Sequence, residues 1–233
     1  MTKRLKISLI TIILIIGIAA GAFFAYVSVY YRADDVAIAV MKNHDIISVE
    51  DDYIILSPSR PTKSALIFYP GAKVEYTAYL PILENIKEST GIPCILVKMP
   101  YNLAVLDADM ADRIINEFPD INNWYIGGHS MGGAMASDYA SKNQDTIKGL
   151  ILLGAYLYGN YPVDDTLTIY GSFNTSVSDK IDYTKNIVVI QGGNHAQFGN
   201  YGKQKGDSDA TISREEQQNI AVEAIKEFIS SRE

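Results

Sequence analysis

An α/β domain behind one apolar N-terminal helix is the fold class this chain predicts, and three observations predict it. From residue 53 onward, short runs dense in Ile, Leu and Val alternate with longer amphipathic stretches. That is the pattern of a mostly parallel, twisted sheet with helices on both faces. The first 32 residues are different in kind: an uncharged stretch runs from Ile7 to Tyr31. Finally, the glycine-crowded string GGHSMGGA at 127–134 stands where an apolar strand gives way to a helical pattern.

The N-terminal stretch from Ile7 to Tyr31 is 25 residues long, and a helix needs about 20 to cross a bilayer. It holds Gly17 and Gly21, and the rings of Phe23, Phe24, Tyr26, Tyr30 and Tyr31 gather at its far end; both are features of membrane helices. Lys3, Arg4 and Lys6 precede it, while Arg32 is followed by Asp34 and Asp35. That asymmetry places the N-terminus in the cytoplasm. The expectation is a membrane anchor over 1–32, touching lipid through 7–31, and an extracytoplasmic domain over 33–233. The protein would then be a single-pass protein of the cell membrane. The alternative is secretion after signal cleavage, since Ala20-Gly21-Ala22 resembles an A-x-A site. The apolar run continues about nine residues beyond that site, longer than a signal peptide requires.

The domain reads in order as follows. Ala33 to Met41 is a short amphipathic helix. Tyr53–Leu56 and Ala65–Tyr69 are strands, separated by Ser57-Pro58-Ser59-Arg60-Pro61, which suits a hairpin-like connection. Helix Tyr76–Ser89 precedes strand Cys94–Lys98; helix Leu106–Phe118 precedes strand Asn123–Gly127; helix Met131–Lys142 precedes strand Gly149–Leu153. Strands Thr166–Tyr170 and Ile187–Gln191 follow. Helix Ser213–Ser230 closes the chain, opened by Ser213 with Glu216 three residues on, a capping box. Cys94, the one cysteine, sits in an apolar run and reads as a small core residue.

Charge and motifs exclude several classes. Of the 20 basic residues four lie in the first 32 positions and none of the 27 acids does. The domain therefore holds 16 basic and 27 acidic groups, a formal charge of −11 that repels nucleic acid. Neither a G-x-x-x-x-G-K-[ST] loop nor a G-x-G-x-x-G after the first strand is present. The three histidines are dispersed and no cysteines pair, so no metal site is expected. Gly206-Asp207-Ser208-Asp209 lacks the later ligands of a calcium loop and reads as a polar lead-in to the last helix.

Gly128-His129-Ser130-Met131-Gly132 matches G-x-S-x-G between a strand and a helix, the context of a nucleophile elbow, where a serine on a sharp strained turn projects into a site. A serine hydroxyl needs a base. His44 precedes the sheet and reads as a surface residue; His129, inside the elbow, reads as structural. His195 remains, just past strand Ile187–Gln191. In a parallel sheet the working groups collect at that end of the strands. Acyl transfer also needs donors for a developing oxyanion. The Met131 N–H is one candidate. The other comes from Phe68-Tyr69-Pro70-Gly71-Ala72-Lys73, with Ala72 expected and Lys73 as its alternative. Glu75, just beyond, reads as a solvated carboxylate.

The strings YPGAKVE at 69–75, VKMPYNLAVLD at 97–107, GGHSMGGAMA at 127–136 and GGNHAQFGNYG at 192–202 carry a resemblance. From about Tyr53 onward the chain resembles the α/β-hydrolases, in particular their small, lidless, dienelactone-hydrolase-like bacterial branch. The resemblance implies Ser130 as nucleophile, His195 as base, an ester- or lactone-type substrate and no cofactor. It also implies an acid after strand Thr166–Tyr170, in a stretch read YGSxD. Here YGSFNTSVSD occupies 170–179, and the matching position is Asn174. Asp179, five residues on, is the alternative if the loop folds back, and another acid is a third possibility; Asp164 and Asp165 precede the strand. Two functional readings follow. One is a membrane-anchored serine hydrolase working through an acyl-enzyme. The other, motivated by Asn174, is a catalytically weakened or non-enzymatic binding domain on the same fold.

Overall fold

The computed structural model describes residues 3–58 and 60–232. The chain forms two compact units, Met1–Tyr30 and Tyr31–Glu233. The first is one helix, α1 (Lys3–Ser28). Its stretch Arg4–Ser28 is long and apolar enough to cross a membrane, spanning roughly 37 Å at about 1.5 Å per residue. The side chains of Ile7, Ile10, Ile13 and Ile16 are exposed, as befits a membrane anchor or a signal sequence.

The second unit holds α2 (Asp35–Met41), β1 (Ile47–Val49), β2 (Tyr53–Leu56), β3 (Ser64–Tyr69), α3 (Leu80–Thr90), β4 (Cys94–Val97) and α4 (Met110–Glu117). These are followed by β5 (Asn123–His129), α5 (Met131–Lys142), β6 (Ile147–Leu153), β7 (Thr166–Gly171), α6 (Thr175–Ser178), β8 (Ile187–Ile190) and α7 (Arg214–Ser230). Among the described residues the eight strands form one sheet in the order β1-β2-β4-β3-β5-β6-β7-β8. β1 and β2, and β2 and β4, pair antiparallel; every other pair is parallel.

Alternation along β3 explains the layering. Leu66 and Phe68 face one side, against Leu83 and Ile86 of α3 and Ile225 and Phe228 of α7. Ala65, Ile67 and Tyr69 face the other, against Ile114 of α4 and Ala136 and Tyr139 of α5. Period-two alternation between two apolar layers is what a doubly covered strand requires.

Several local expectations are revised. β2 and β3 form no hairpin, because β4 lies between them and pairs with both. Ser59, in the expected turn, lies outside the described residues. β1 was unforeseen: three residues are too few to show a period, though the acidic turn Glu50-Asp51-Asp52 before Tyr53 marks the hairpin, with Glu50 N–H donating to Tyr53 C=O at 2.9 Å. Residues 76–79 and 104–106 are 3₁₀ turns, so α3 and α4 begin later than their apolar patterns. α2 begins at Asp35 because the Asp34 carboxylate accepts from the Val36 and Ala37 N–H groups, capping the helix. The folded unit begins before the expected boundary at Arg32: Tyr31 N–H donates to Lys73 C=O at 2.7 Å, and Glu75 N–H to Tyr31 C=O at 2.8 Å. Tyr31 is therefore domain backbone. Glu75 is not simply solvated, since its carboxylate accepts the Ala33 N–H at 3.0 Å.

Candidate active site

Ser130 stands at the carboxyl end of β5 with φ 54° and ψ −122°. A non-glycine residue there is strained by roughly 1–3 kcal/mol. Neighbouring contacts hold it: its N–H donates to Leu153 C=O at 3.0 Å, and its own C=O accepts from Ala134 N–H at 3.0 Å. The flanking glycines make the turn possible. A Cβ on Gly128 would lie 2.6 Å from the Gly132 carbonyl carbon, and one on Gly132 would strike the carbonyl oxygens of Tyr69 and Pro70. The second contact is informative, because it presses the first turn of α5 against the loop that leaves β3.

That loop carries Ala72. Its neighbours' amides are committed: Gly71 N–H donates to Tyr79 Oη at 3.1 Å and Lys73 N–H to Asn102 C=O at 2.8 Å. The Lys73 alternative for an oxyanion donor is thereby removed. Met131 is the first residue of α5, where an N–H has no acceptor within its own helix.

His195 and Ser130 line one cavity of about 380 Å³, together with Asn174, Lys205 and Asp207. Both also flank the end of β6: Ser130 N–H meets Leu153 C=O there, and a Cβ on Gly154 would sit 3.0 Å from His195 Nδ1. The loop bearing His195 is fixed residue by residue. Asn194 N–H donates to Gln217 Oε1 at 3.0 Å, His195 N–H to Asp207 Oδ1 at 3.2 Å, Ala196 N–H to Asp207 Oδ2 at 2.7 Å, and Gln197 N–H to Asn194 Oδ1 at 3.1 Å. Gln217, wholly buried on α7, returns a bond from Nε2 to Asn194 C=O at 2.9 Å.

His129 completes this frame. It is 1% exposed, and its ring centroid lies 4.5 Å from that of His195. Its Nε2 is 3.0 Å from His195 C=O, which can only accept, so Nε2 carries the proton. Nδ1 then accepts from the Tyr79 hydroxyl at 2.8 Å. An unbroken chain thus runs from the Gly71 N–H through Tyr79 and His129 to His195. Burial, and then the neighbouring His195, hold the His129 pKa well below the usual histidine value, so this imidazole is neutral. Burial also lowers the His195 pKa, opposed by the charge of Asp207, so this imidazole too is neutral at pH 7.

Of the two candidates for a third member, the fold brings Asn174 to His195 and leaves Asp179 away. Asn174 is buried, with Nδ2 2.8 Å from His195 Nδ1, while Ser176 Oγ donates to Asn174 Oδ1 at 2.9 Å. Asp179 is exposed at the end of α6 and does not line the cavity. In the arrangement seen, Nδ1 accepts and the His195 proton sits on Nε2. A half-turn of the amide would set Oδ1 against an Nδ1–H and Nδ2 against Ser176 Oγ, which can accept as well as donate. Amide orientation and imidazole tautomer are therefore coupled, and only the second state leaves Nε2 free to take a proton.

Sequence reasoning missed Asp207 and Tyr79. Asp207 belongs to a polar segment without periodicity, and its role exists only because 207 folds back on 195. Tyr79 looked like one more apolar residue of a helix.

Among solved structures, the chain is similar to carboxyl esterase 2 from Tuber melanosporum (TM-score 0.54, 11% identity, 78% of this chain and 82% of that one). It is also similar to a dienelactone hydrolase from Anabaena variabilis (0.52, 14%, 77% and 91%) and a monoacylglycerol lipase from Paleococcus ferrophilus (0.55, 13%, 77% and 100%). At these identities the likeness is one of fold. No curated protein is similar enough in sequence to count as a relative. Residues 65–219 match the sequence model of the Alpha/beta hydrolase family; that span runs from β3 through the elbow and the His195 loop into α7, and the chain belongs to this family.

Proposed function

We propose that this protein is a serine hydrolase of small esters or lactones, tethered to the outer face of a membrane by α1 and working through an acyl-enzyme. The observation that carries the reading is the strained Ser130 sharing one cavity with the half-buried, neutral His195. In the first half-reaction, with the Asn174 amide turned so that the imidazole proton sits on Nδ1, Ser130 Oγ attacks the carbonyl carbon and its proton passes to His195 Nε2. The oxyanion is held by the N–H groups of Met131 and Ala72, and such donors are each worth about 10²–10³ in turnover. His195 then protonates the leaving alcohol as the C–O bond breaks. In the second half-reaction water attacks the acyl-enzyme, His195 takes its proton, and Ser130 leaves with it as the acid departs.

Asn174 supports a second reading, a weakened or non-enzymatic domain, because an amide orients an imidazole without stabilising its charged form. In a serine protease the acid-to-amide change costs about 10⁴ in turnover. The deciding experiment is labelling of the membrane-extracted protein by a fluorophosphonate, with hydrolysis of a short aryl ester measured in parallel. Labelling confined to Ser130, and loss of hydrolysis by more than about 10³-fold in Ser130→Ala, is the expected result. Full hydrolysis by Ser130→Ala would exclude the acyl-enzyme; an unlabelled, inactive wild type would favour the second reading. Retention in the membrane pellet after a carbonate wash tests the tether, and its release as a shortened chain would mean a cleaved signal.

A further inference from the structure

Resting on the hydrolase reading, the structure raises the question of where the charge is that Asn174 does not carry. A general base that becomes a cation needs an anion near it in a site shielded from water. Around His195 the groups are these. The neutral ring of His129 lies 4.5 Å away and the amide of Asn174 is on Nδ1. Ser130, Lys205 and Asp207 line the same cavity. Asp207 is the one acid among them. Asp209, two residues on, is engaged at 2.6 Å by Lys203.

Both oxygens of Asp207 face this loop, one on the His195 N–H and one on the Ala196 N–H. A carboxylate, with two acceptor oxygens and no donor, matches two parallel N–H groups; an asparagine would turn an NH₂ against one of them. The grip is also directional, since the opposite end of the same peptide unit, His195 C=O, is held by His129. Asp207 is therefore tied to the backbone of the histidine it holds. We propose that Asp207 is the charge partner of His195, a positioning residue that clamps its backbone and supplies, from outside the usual triad position, the negative charge that Asn174 lacks.

The test is the pH profile of kcat and KM for a short aryl ester, with the full chain in detergent, in Asp207→Asn, Asp207→Glu, Asn174→Asp and the double variant N174D/D207N. The Asp207 charge favours imidazolium, so removing it lowers the His195 pKa. In D207N the acidic limb of kcat/KM moves down by about half a pH unit or more, and kcat falls about 10–100-fold with KM nearly constant. D207E keeps the limb in place. N174D restores most of the turnover lost in D207N, yet raises kcat less than about tenfold when Asp207 is present. An unmoved limb in D207N overturns the proposal, whether or not kcat falls, because a merely structural loss shifts no pKa. Should D207N not fold, N174D alone decides: a gain near 10⁴, the full size of an acid-to-amide change, would mean that no other charge serves His195. Fluorophosphonate labelling of the wild type separates the two levels. A chain that is unlabelled and inactive removes the hydrolase reading and this proposal with it, whereas a labelled, active chain with an unmoved D207N limb removes only this proposal.

Discussion

Replacing His129 by phenylalanine keeps a ring in the pocket beside Tyr79 and Phe198 but removes two hydrogen bonds at once. The Tyr79 hydroxyl loses its acceptor and the His195 C=O loses its donor. Each buried group left unpaired costs roughly 1–3 kcal/mol, so at pH 8 the variant is expected to be less stable by about 2–4 kcal/mol, allowing for the favourable burial of a less polar ring. The pH dependence carries the sharper signature. The folded pKa of His129 is depressed, so below its unfolded value, about 6.5, the unfolded chain binds a proton that the folded one does not. The stabilisation is complete above that value and is lost as pH falls below it, by up to about 1.4 kcal/mol per pH unit. Wild type therefore loses this increment between pH 8 and 5.5, and His129→Phe does not. The gap between them should narrow by about 1.4 kcal/mol over that range. Urea unfolding at the two pH values, followed by the fluorescence of Trp124, which is 2% exposed, measures it. A gap that stays constant or widens in acid would refute the assignment of a neutral, buried His129.

Three further outcomes follow from the same geometry. Tyr79→Phe leaves the Gly71 N–H and His129 Nδ1 without a partner; stability should fall by about 1–3 kcal/mol, and kcat should fall with little change in KM as the loop bearing Ala72 loosens, read from steady-state kinetics. Gly132→Ala puts a methyl against the carbonyl oxygens of Tyr69 and Pro70; it should cost about 1–3 kcal/mol and lower kcat by at least tenfold, since the elbow and the proposed oxyanion loop must separate, and a crystal structure would show that parting. Asp179→Asn changes an exposed residue outside the cavity; thermal melting and turnover should both stay at wild-type levels, within about 0.5 kcal/mol for stability.

What the chain disclosed of itself depended on how local each signal is. The strained turn at Ser130 was legible because glycines must crowd an elbow whatever the rest of the fold does, and the place of His195 beside the same cavity because it lies just past an apolar strand. The layered sheet was legible from alternation alone. Other features depend on contacts far apart in sequence. Whether Asn174 or Asp179 meets His195 depends on where α6 ends, and Asp207 gains its role only when its loop returns to residues 195 and 196. β2 was expected beside β3, yet β4 takes the slot between them, a choice made by packing and not by the turn residues. The boundary at Tyr31 was hidden for the same reason, since its partners are Lys73 and Glu75.

Gln217 binds both backbone polar groups of Asn194 from a helix that begins twenty residues after it. The order of synthesis then matters. When the serine turn has formed and the sheet has closed through β8, the loop beside it still lacks the side chain that holds its shape. Under the proposed mechanism an imidazole on an unsecured loop is a poor base, so a nascent chain should be inert until α7 has packed. Ribosome-tethered chains of increasing length would display that delay as a late, abrupt onset of probe labelling.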